Sequence, residues 1–428
     1  MFFLCLFLRK NYDVSESKIF FLDLCPKQPT TQMKKGHYFF YILFIFAFSC
    51  DTEIEPESNF FRVFGTQEKA DMAAITVQYI ENERNYVIMG YNWADDKMQQ
   101  TVWILKANQE GEKIWFRKYP RYSNPVFELR VLSSNDMVFL AQDAQKGHLV
   151  VVRLNAQGDI IGELELDPDY QAPTYLAFAY EKNQLVFLVD KNVDGKSELH
   201  LLHIDIVKEQ INWEQSYPDL VSGGDYVQLT ENTAVLIRLS NERGYSFVAY
   251  SSENSQPYVC FTDENGIMSR KYATNQKLRS YTEADKGSFA AIYGEPDGGS
   301  FVAVHTEEQF DVSKYNFESG INYFVNEINP QFRSFIRTES DGFILTATSY
   351  LSEIVFLKLS FKNQKLEPQI RKIYGAGERL YYVRSRPHQH PDGGYYFLGR
   401  LDFGKQFAVW RTCLIKTDSD GDMTNDLH

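Results

Sequence analysis

The stretch that decides the fold is Asn85-Tyr86-Val87-Ile88-Met89-Gly90-Tyr91, then Val102-Trp103-Ile104-Leu105-Lys106, a turn at Gln109-Glu110-Gly111, and Ile114-Trp115-Phe116-Arg117-Lys118-Tyr119. Short runs of β-branched and aromatic residues alternate with polar or glycine-bearing segments, the signature of an antiparallel meander. The same order returns at Met137-Val138-Phe139-Leu140, followed by Leu149–Leu154 and a turn at Gln157-Gly158, and again at Leu185-Val186-Phe187-Leu188. Further copies start at Ala234, Ser300, Phe343 and Tyr395, so successive starts (from Tyr86) lie 51, 48, 49, 66, 43 and 52 residues apart.

Self-similarity with a period of about 50 residues points to propeller blades or another repeat array. The repeats alternate and are β-branched and aromatic, whereas a helical solenoid needs a period of about 3.6. The expected fold is therefore all-β: a β-propeller of seven four-stranded blades. We label the strands a (innermost) to d. Each copy is preceded by a further strand, as at Met72-Ala73-Ala74-Ile75-Thr76-Val77-Gln78, which supplies strand a. Two such strands run into Pro296-Asp297-Gly298-Gly299 and Pro391-Asp392-Gly393-Gly394, turns whose glycines supply positive φ angles. The 66-residue interval predicts an insertion between Ser240 and Gln256.

The ends carry their own information. The seventh copy has strand c at Val409–Lys416, then runs out in Asp418-Ser419-Asp420-Gly421-Asp422. At the other end Asn59-Phe60-Phe61-Arg62-Val63-Phe64-Gly65 has no hairpin partner nearby and is similar to the Ile373-Tyr374-Gly375 that ends the sixth copy. An N-terminal strand that completes the last blade would close the ring and remove its exposed edges.

Upstream, Met33-Lys34-Lys35 precedes the apolar run Tyr38–Phe48 and then Ser49-Cys50. A basic region, a short apolar stretch and a small residue before the cut are the parts of a secretory signal, and the run is shorter than the roughly 20 residues that span a bilayer. Ala47-Phe48-Ser49-Cys50 resembles a bacterial lipobox, which implies cleavage before Cys50 and lipid attachment to its sulfur; the alternatives are an ordinary cleaved signal or an uncleaved anchor. The chain then divides into 1–32 (a start codon called too early), a 33–49 signal, a 50–58 acidic tether and a 59–428 propeller. The tether, Asp51-Thr52-Glu53-Ile54-Glu55-Pro56-Glu57-Ser58, reads equally as a solvated linker or as the acidic signal of some surface-exposed lipoproteins.

Net charge is −13 for the whole chain, and loss of the leader, with six basic and three acidic residues, takes it to −16. That balance disfavours nucleic acid as a partner and any membrane contact beyond the lipid anchor. Cys5 and Cys25 leave with the leader. Cys260 and Cys413 fall on separate blades, so two buried thiols are expected rather than a disulfide.

The recurring Asp-Gly-Gly-Tyr, Ile/Val-Leu-Lys, Gly-x-x-x-Trp and closing Tyr-Gly resemble the blades of secreted bacterial β-propeller lipoproteins, over roughly residues 59–428. The resemblance implies a fold and an envelope location; it assigns no activity.

In a propeller the b–c and d–a connections open on one side and the a–b and c–d hairpins on the other. The longer loops read as b–c: 92–96, 190–196, the stretch after Ser240, and 305–320. Binding residues gather on loops carried by a rigid scaffold, so that side is expected to present Trp93, Asp95, Asp96, Tyr122, Tyr170, Tyr315 and Phe317 to a glycan or protein. Asp190-x-Asn192-x-Asp194-Gly195 begins like a calcium loop, but its twelfth position is Leu201 and not a bidentate acid; Asp418-x-Asp420-Gly421-Asp422 is a shorter relative. Calcium is the one cofactor for which residues offer themselves, and turn chemistry explains the same residues. His388-Gln389-His390 leads into a hairpin and reads as surface. No nucleophile elbow or phosphate loop is present. The expected function is a binding or scaffold module on the envelope; the alternative is a propeller enzyme acting on polysaccharide at the central funnel. Mass spectrometry of the mature N-terminus should find a lipid-modified Cys50, and an unlipidated terminus would contradict the anchor.

Overall fold

The computed structural model describes residues 59–423 apart from 66–71, 95–96, 126–127, 172–177, 182, 223–235, 241–243, 275–277, 286, 295–299, 312, 314–320, 326–330, 339–341, 350–352, 363–364, 375–379, 384 and 403–409. The leader, Cys50 and the acidic tether lie outside the described residues. Within them the strands form seven antiparallel sheets arranged as blades around a ring. Blade 1 is a meander of Ala73–Ile80, Asn85–Ala94, Lys97–Ala107 and Lys113–Tyr119, strands a to d. Blades 2 to 6 repeat it over 122–165, 170–217, 220–273, 278–325 and 331–374. The fold is a seven-bladed β-propeller.

Burial follows position in the blade. Strands b and c are covered on both faces by neighbouring blades, so Met137–Asp143 and Leu149–Leu154 are almost continuously buried. Strand d has one outer edge and stays half-exposed, as Ile160–Glu165 does. In the opening stretch, Trp103 is fully buried and lies against strand b where Gly90 leaves room; a Cβ at Gly90 would approach the indole to 2.4 Å. Burying a side chain of that size contributes roughly 1.5–3 kcal/mol.

Blade 7 is assembled from both ends of the chain. Its strands a to c are Leu380–Val383 with His388–Gln389, Tyr395–Asp402 and Trp410–Thr417, and its strand d is Phe60–Phe64. The closing strand pairs antiparallel with strand c, from Phe60 opposite Lys416 to Phe64 opposite Thr412. Phe60 and Phe64 enter a core shared with Tyr86, Trp103, Tyr396 and Leu414. Closure by an N-terminal strand is as the sequence predicts.

Adjacent blades are tied by one repeated contact. The c–d turns Asn108–Glu112, Asn155–Asp159, Asp263–Ile267 and Asp418–Asp422 share a conformation in which the first side chain accepts from the backbone N–H groups of the third and fifth residues, for example Asp418 from Asp420 (2.9 Å) and Asp422 (2.8 Å). The fourth residue is always glycine, with φ between 74° and 82°. In three of the turns its carbonyl accepts a hydrogen bond from the tyrosine that ends strand d of the preceding blade: Tyr119 to Gly158 (2.7 Å), Tyr217 to Gly266 (2.5 Å) and Tyr374 to Gly421 (2.6 Å). At the fourth turn the closing strand takes this role. Arg62 Nε donates to the Glu110 carbonyl at 3.0 Å, and Phe60 lies over Gly111. The acidic Asp418 turn is therefore a blade-to-blade turn, and two copies place Asn at the same position.

Two strand assignments from the sequence are corrected. Leu236–Arg238, beside Ala234, belongs to strand a, and strand b of blade 4 is Tyr245–Ser251. Ser300–Thr306 is strand c of blade 5, whose strand b is Ser288–Gly294. The turn containing Pro296-Asp297-Gly298-Gly299 thus joins b to c, whereas Pro391–Gly394 is the a–b hairpin expected. The predicted insertion after Ser240 is a short a–b hairpin, with Leu239 N–H donating to the Gly244 carbonyl at 2.9 Å. The extra length of blade 4 lies inside its inner strand, where 222–235 separates the two segments that 124–128 and 172–177 separate in blades 2 and 3. Cys260 and Cys413 are free and buried on blades 4 and 7, and burial pushes the Cys260 thiol up to about 12.

Replacing Tyr374 by Phe should leave the Gly421 carbonyl unpaired and cost about 1–2 kcal/mol, read as a lowered denaturant midpoint. Tyr119→Phe should behave alike, and unchanged midpoints in both would refute the contact's role.

Candidate functional site

The b–c side holds less than the sequence suggested. Tyr122 is fully buried, its ring edge-on to Phe139 and its hydroxyl bonded to Glu163. Tyr170 is 3% exposed; Lys191 lies 4.6 Å over its ring, and Glu214, which it meets through its hydroxyl, also binds His200 Nδ1 at 2.6 Å. Both tyrosines wedge blades together, so neither is an open aromatic platform. Trp93 stands in strand b opposite Gln100, near the tip of the blade 1 hairpin. Asp95, Asp96, Tyr315 and Phe317 lie outside the described residues. The segment 305–320 joins strands c and d of blade 5, and 240–244 joins a and b of blade 4, so two of the four expected loops belong to the opposite side.

The candidate calcium residues sit in the blade 3 hairpin and are engaged elsewhere. Asp190 accepts from Ser222 N–H (2.9 Å) and from its hydroxyl, which ties blade 3 to blade 4. Asn192 accepts from Gly195 N–H at 3.0 Å, and Asp194 forms the turn at φ 51°. Among the described residues no three His, Cys, Asp or Glu side chains converge on a point that could hold a metal.

The a–b side presents a pocket of about 800 Å³ walled by blades 7, 1, 2 and 3. Blade 1 contributes Gln78 to Asn82, blade 2 Val131, Leu132, Ser133 and Asn135, blade 3 Asn183, and blade 7 Gln389, His390, Pro391 and Tyr396. The size falls within the range of ligand sites. Its walls are fixed by two charge pairs. Lys106, almost fully buried, binds Glu83 and also donates to the Ala156 carbonyl at 3.2 Å, while Asn85 and Asn135 each donate to Glu83 at 3.1 Å. Burial pushes the Glu83 carboxyl up, but these bonds outweigh it and hold the group below its ordinary value. Asn135 reaches Glu83 from a left-handed conformation (φ 63°) that Asn tolerates at a hairpin tip.

The second pair corrects the reading of His388-Gln389-His390 as surface. His390 is buried, its ring 4.2 Å from that of Tyr79, and its Nδ1 lies 2.8 Å from Asp392. Asp392 in turn meets Lys416, which is wholly buried, at 2.5 Å. Desolvation opposes the Asp392 charge, but His390, Lys416 and the Gly394 N–H together keep its carboxyl well below the usual carboxylate range. His388 stacks on Tyr396 at 5.1 Å; burial, Arg130 and Arg386 bring its pKa down to about 3. The signal for this cluster was the lysine of Cys413-Leu414-Ile415-Lys416, a charge inside an apolar strand that needs a buried partner.

No family model matches the chain, and no curated protein matches it. Among solved structures it is similar to Drosophila semaphorin 2a (8% identity, 85% of this chain and 76% of that one, TM-score 0.50). It is also similar to the propeller domain of the trilobed protease from Pyrococcus furiosus (8%, 83% and 98%, 0.48) and to the WD40 domain of Toxoplasma gondii coronin (9%, 86% and 89%, 0.46). Likeness at these identities concerns the fold alone. The fold class, a propeller with a pocket on its a–b side, is compatible with a generic binding or scaffold module.

His305, which ends strand c of blade 5, bonds the Tyr293 hydroxyl (3.1 Å) and the Thr306 carbonyl (2.9 Å), and burial lowers its pKa to about 4. The unfolded chain takes up this proton below about 6.5 and the folded chain only near 4, so stability should be lost as pH falls between these values. Urea midpoints from pH 7.5 to 4.5 should decline, and His305→Gln should flatten the decline; an unchanged slope would contradict this.

Proposed function

We propose that this chain is a binding module of the bacterial cell envelope, exported, held through lipid on Cys50, and engaging a glycan or protein in the pocket on its a–b side. The observation that carries the reading is that four blades contribute hydrogen-bonding side chains to one pocket, while buried charge pairs fix its walls. Such a division, a rigid frame with polar groups at its mouth, is what recognition requires. A polysaccharide-cleaving enzyme would need an acid and a base flanking the scissile bond. Among the described lining residues the one carboxylate is Glu81, and His390 faces Asp392, so the lining supports binding.

The closing strand begins on the same side of the ring as the pocket. Phe60 enters strand d opposite Lys416, next to the c–d turn 418–422, and c–d turns and a–b hairpins lie on the same side. The nine residues from Asp51 to Asn59 span at most about 30 Å. A lipidated Cys50 would therefore keep the pocket on the membrane-proximal side, and its partner would be another occupant of that surface. A photo-crosslinking residue at the exposed Asn82 should capture this partner in intact envelopes, and one at Lys146, among the b–c hairpins, should not. Capture from Lys146 alone would overturn the reading.

A further inference from the structure

We infer that the pocket at the a–b mouth takes an uncharged glycan. This rests on the binding-module reading above and names the ligand class of that same site. Most of the hydrogen-bonding side chains in the lining are carboxamides, Gln78, Asn82, Asn135, Asn183 and Gln389, drawn from four blades. A carboxamide both donates and accepts, as does a sugar hydroxyl, so with Asn135 held by Glu83 the other four match a polyhydroxylated ligand without any change of protonation.

Charge excludes the principal competitors. A phosphate, sulfate or uronate needs cations aimed into the pocket. The cations around its walls instead serve carboxylates within the protein, Lys106 to Glu83, Lys416 to Asp392 and Arg130 to Glu128. Glu81 is the one charged residue in the described lining, and it is acidic. Tyr79, half-buried in the wall and backed by His390 at 4.2 Å, offers an aromatic surface for the C–H face of a pyranose. Gln78 supplies the independent observation: its Nε2 is buried and has no hydrogen-bond partner among the described residues, although it borders a pocket. A buried donor of this kind calls for an acceptor, and a turn of the Gln78 carboxamide into the pocket would bring it to a ligand hydroxyl or ring oxygen.

The test uses the mature full-length chain, with Cys50 retained, in detergent. Binding is measured calorimetrically to neutral oligosaccharides (cellohexaose, maltoheptaose, mannohexaose), to anionic ones (alginate and chondroitin sulfate oligomers) and to a pool of uncharged peptides. At least one neutral oligosaccharide should bind, Gln78→Leu and Gln389→Leu should each weaken it at least tenfold at unchanged melting temperature, and Lys146→Ala should leave it intact. Binding of only anionic sugars or only peptides, weakened by the same substitutions, would overturn the ligand class and leave the binding site standing. Binding of none of the probes would overturn the ligand class, and neutral-sugar binding indifferent to both substitutions would overturn the site itself.

Discussion

The structure depends on the contact by which one blade's last strand reads the next blade's c–d turn. A tyrosine hydroxyl donates to the carbonyl of a glycine held in a left-handed conformation on the neighbouring blade. Each such bond is worth about 1 kcal/mol, but its geometry fixes the angle between blades, and a ring closes only if the angles sum correctly. The closing strand obeys the same rule with different atoms. Phe60 covers the glycine and Arg62 supplies the donor, so the seam between chain ends is built like the three interfaces that carry the tyrosine.

With the frame fixed by its outer turns, the inner hairpins are free to present side chains at the pocket. On the a–b side they hold carboxamides over a layer of buried ion pairs. A buried pair seldom adds much net stability, since desolvation offsets most of the attraction, but it is costly to break and so holds its surroundings in one arrangement. Glu83 gathers Lys106, Asn85 and Asn135, which lie on two blades, and Asp392 gathers His390 and Lys416 within the blade that joins the chain ends. The wall of the pocket is therefore as firm as the ring.

Much of the fold was legible in the sequence, and less of the site. Seven copies, the closing strand at Phe60–Phe64 and two unpaired buried cysteines follow from period, from resemblance between strand ends and from spacing. The letters of blades 4 and 5 did not follow. Strands b and c are both buried on two faces and read as the same apolar run, and a Pro-Asp-Gly-Gly turn serves a–b in one blade and b–c in another. The loops at Ser240 and His305 were consequently placed on the wrong side. Tyr122 and Tyr170 looked like surface aromatics because their partners, Glu163 and Glu214, lie some forty residues downstream. The pocket was least visible of all: Tyr79 and Tyr396 meet across 317 residues of chain, and only ring closure brings them together.

The proposed recognition site is the a–b mouth and not the b–c loops. Backbone hydrogen exchange, compared with and without solubilised envelope glycans, reads this most directly. Slowed exchange confined to 78–85, 132–135 and 389–394 is expected. Protection confined to the b–c hairpins at 143–148 and 190–196, with the mouth unchanged, would contradict it.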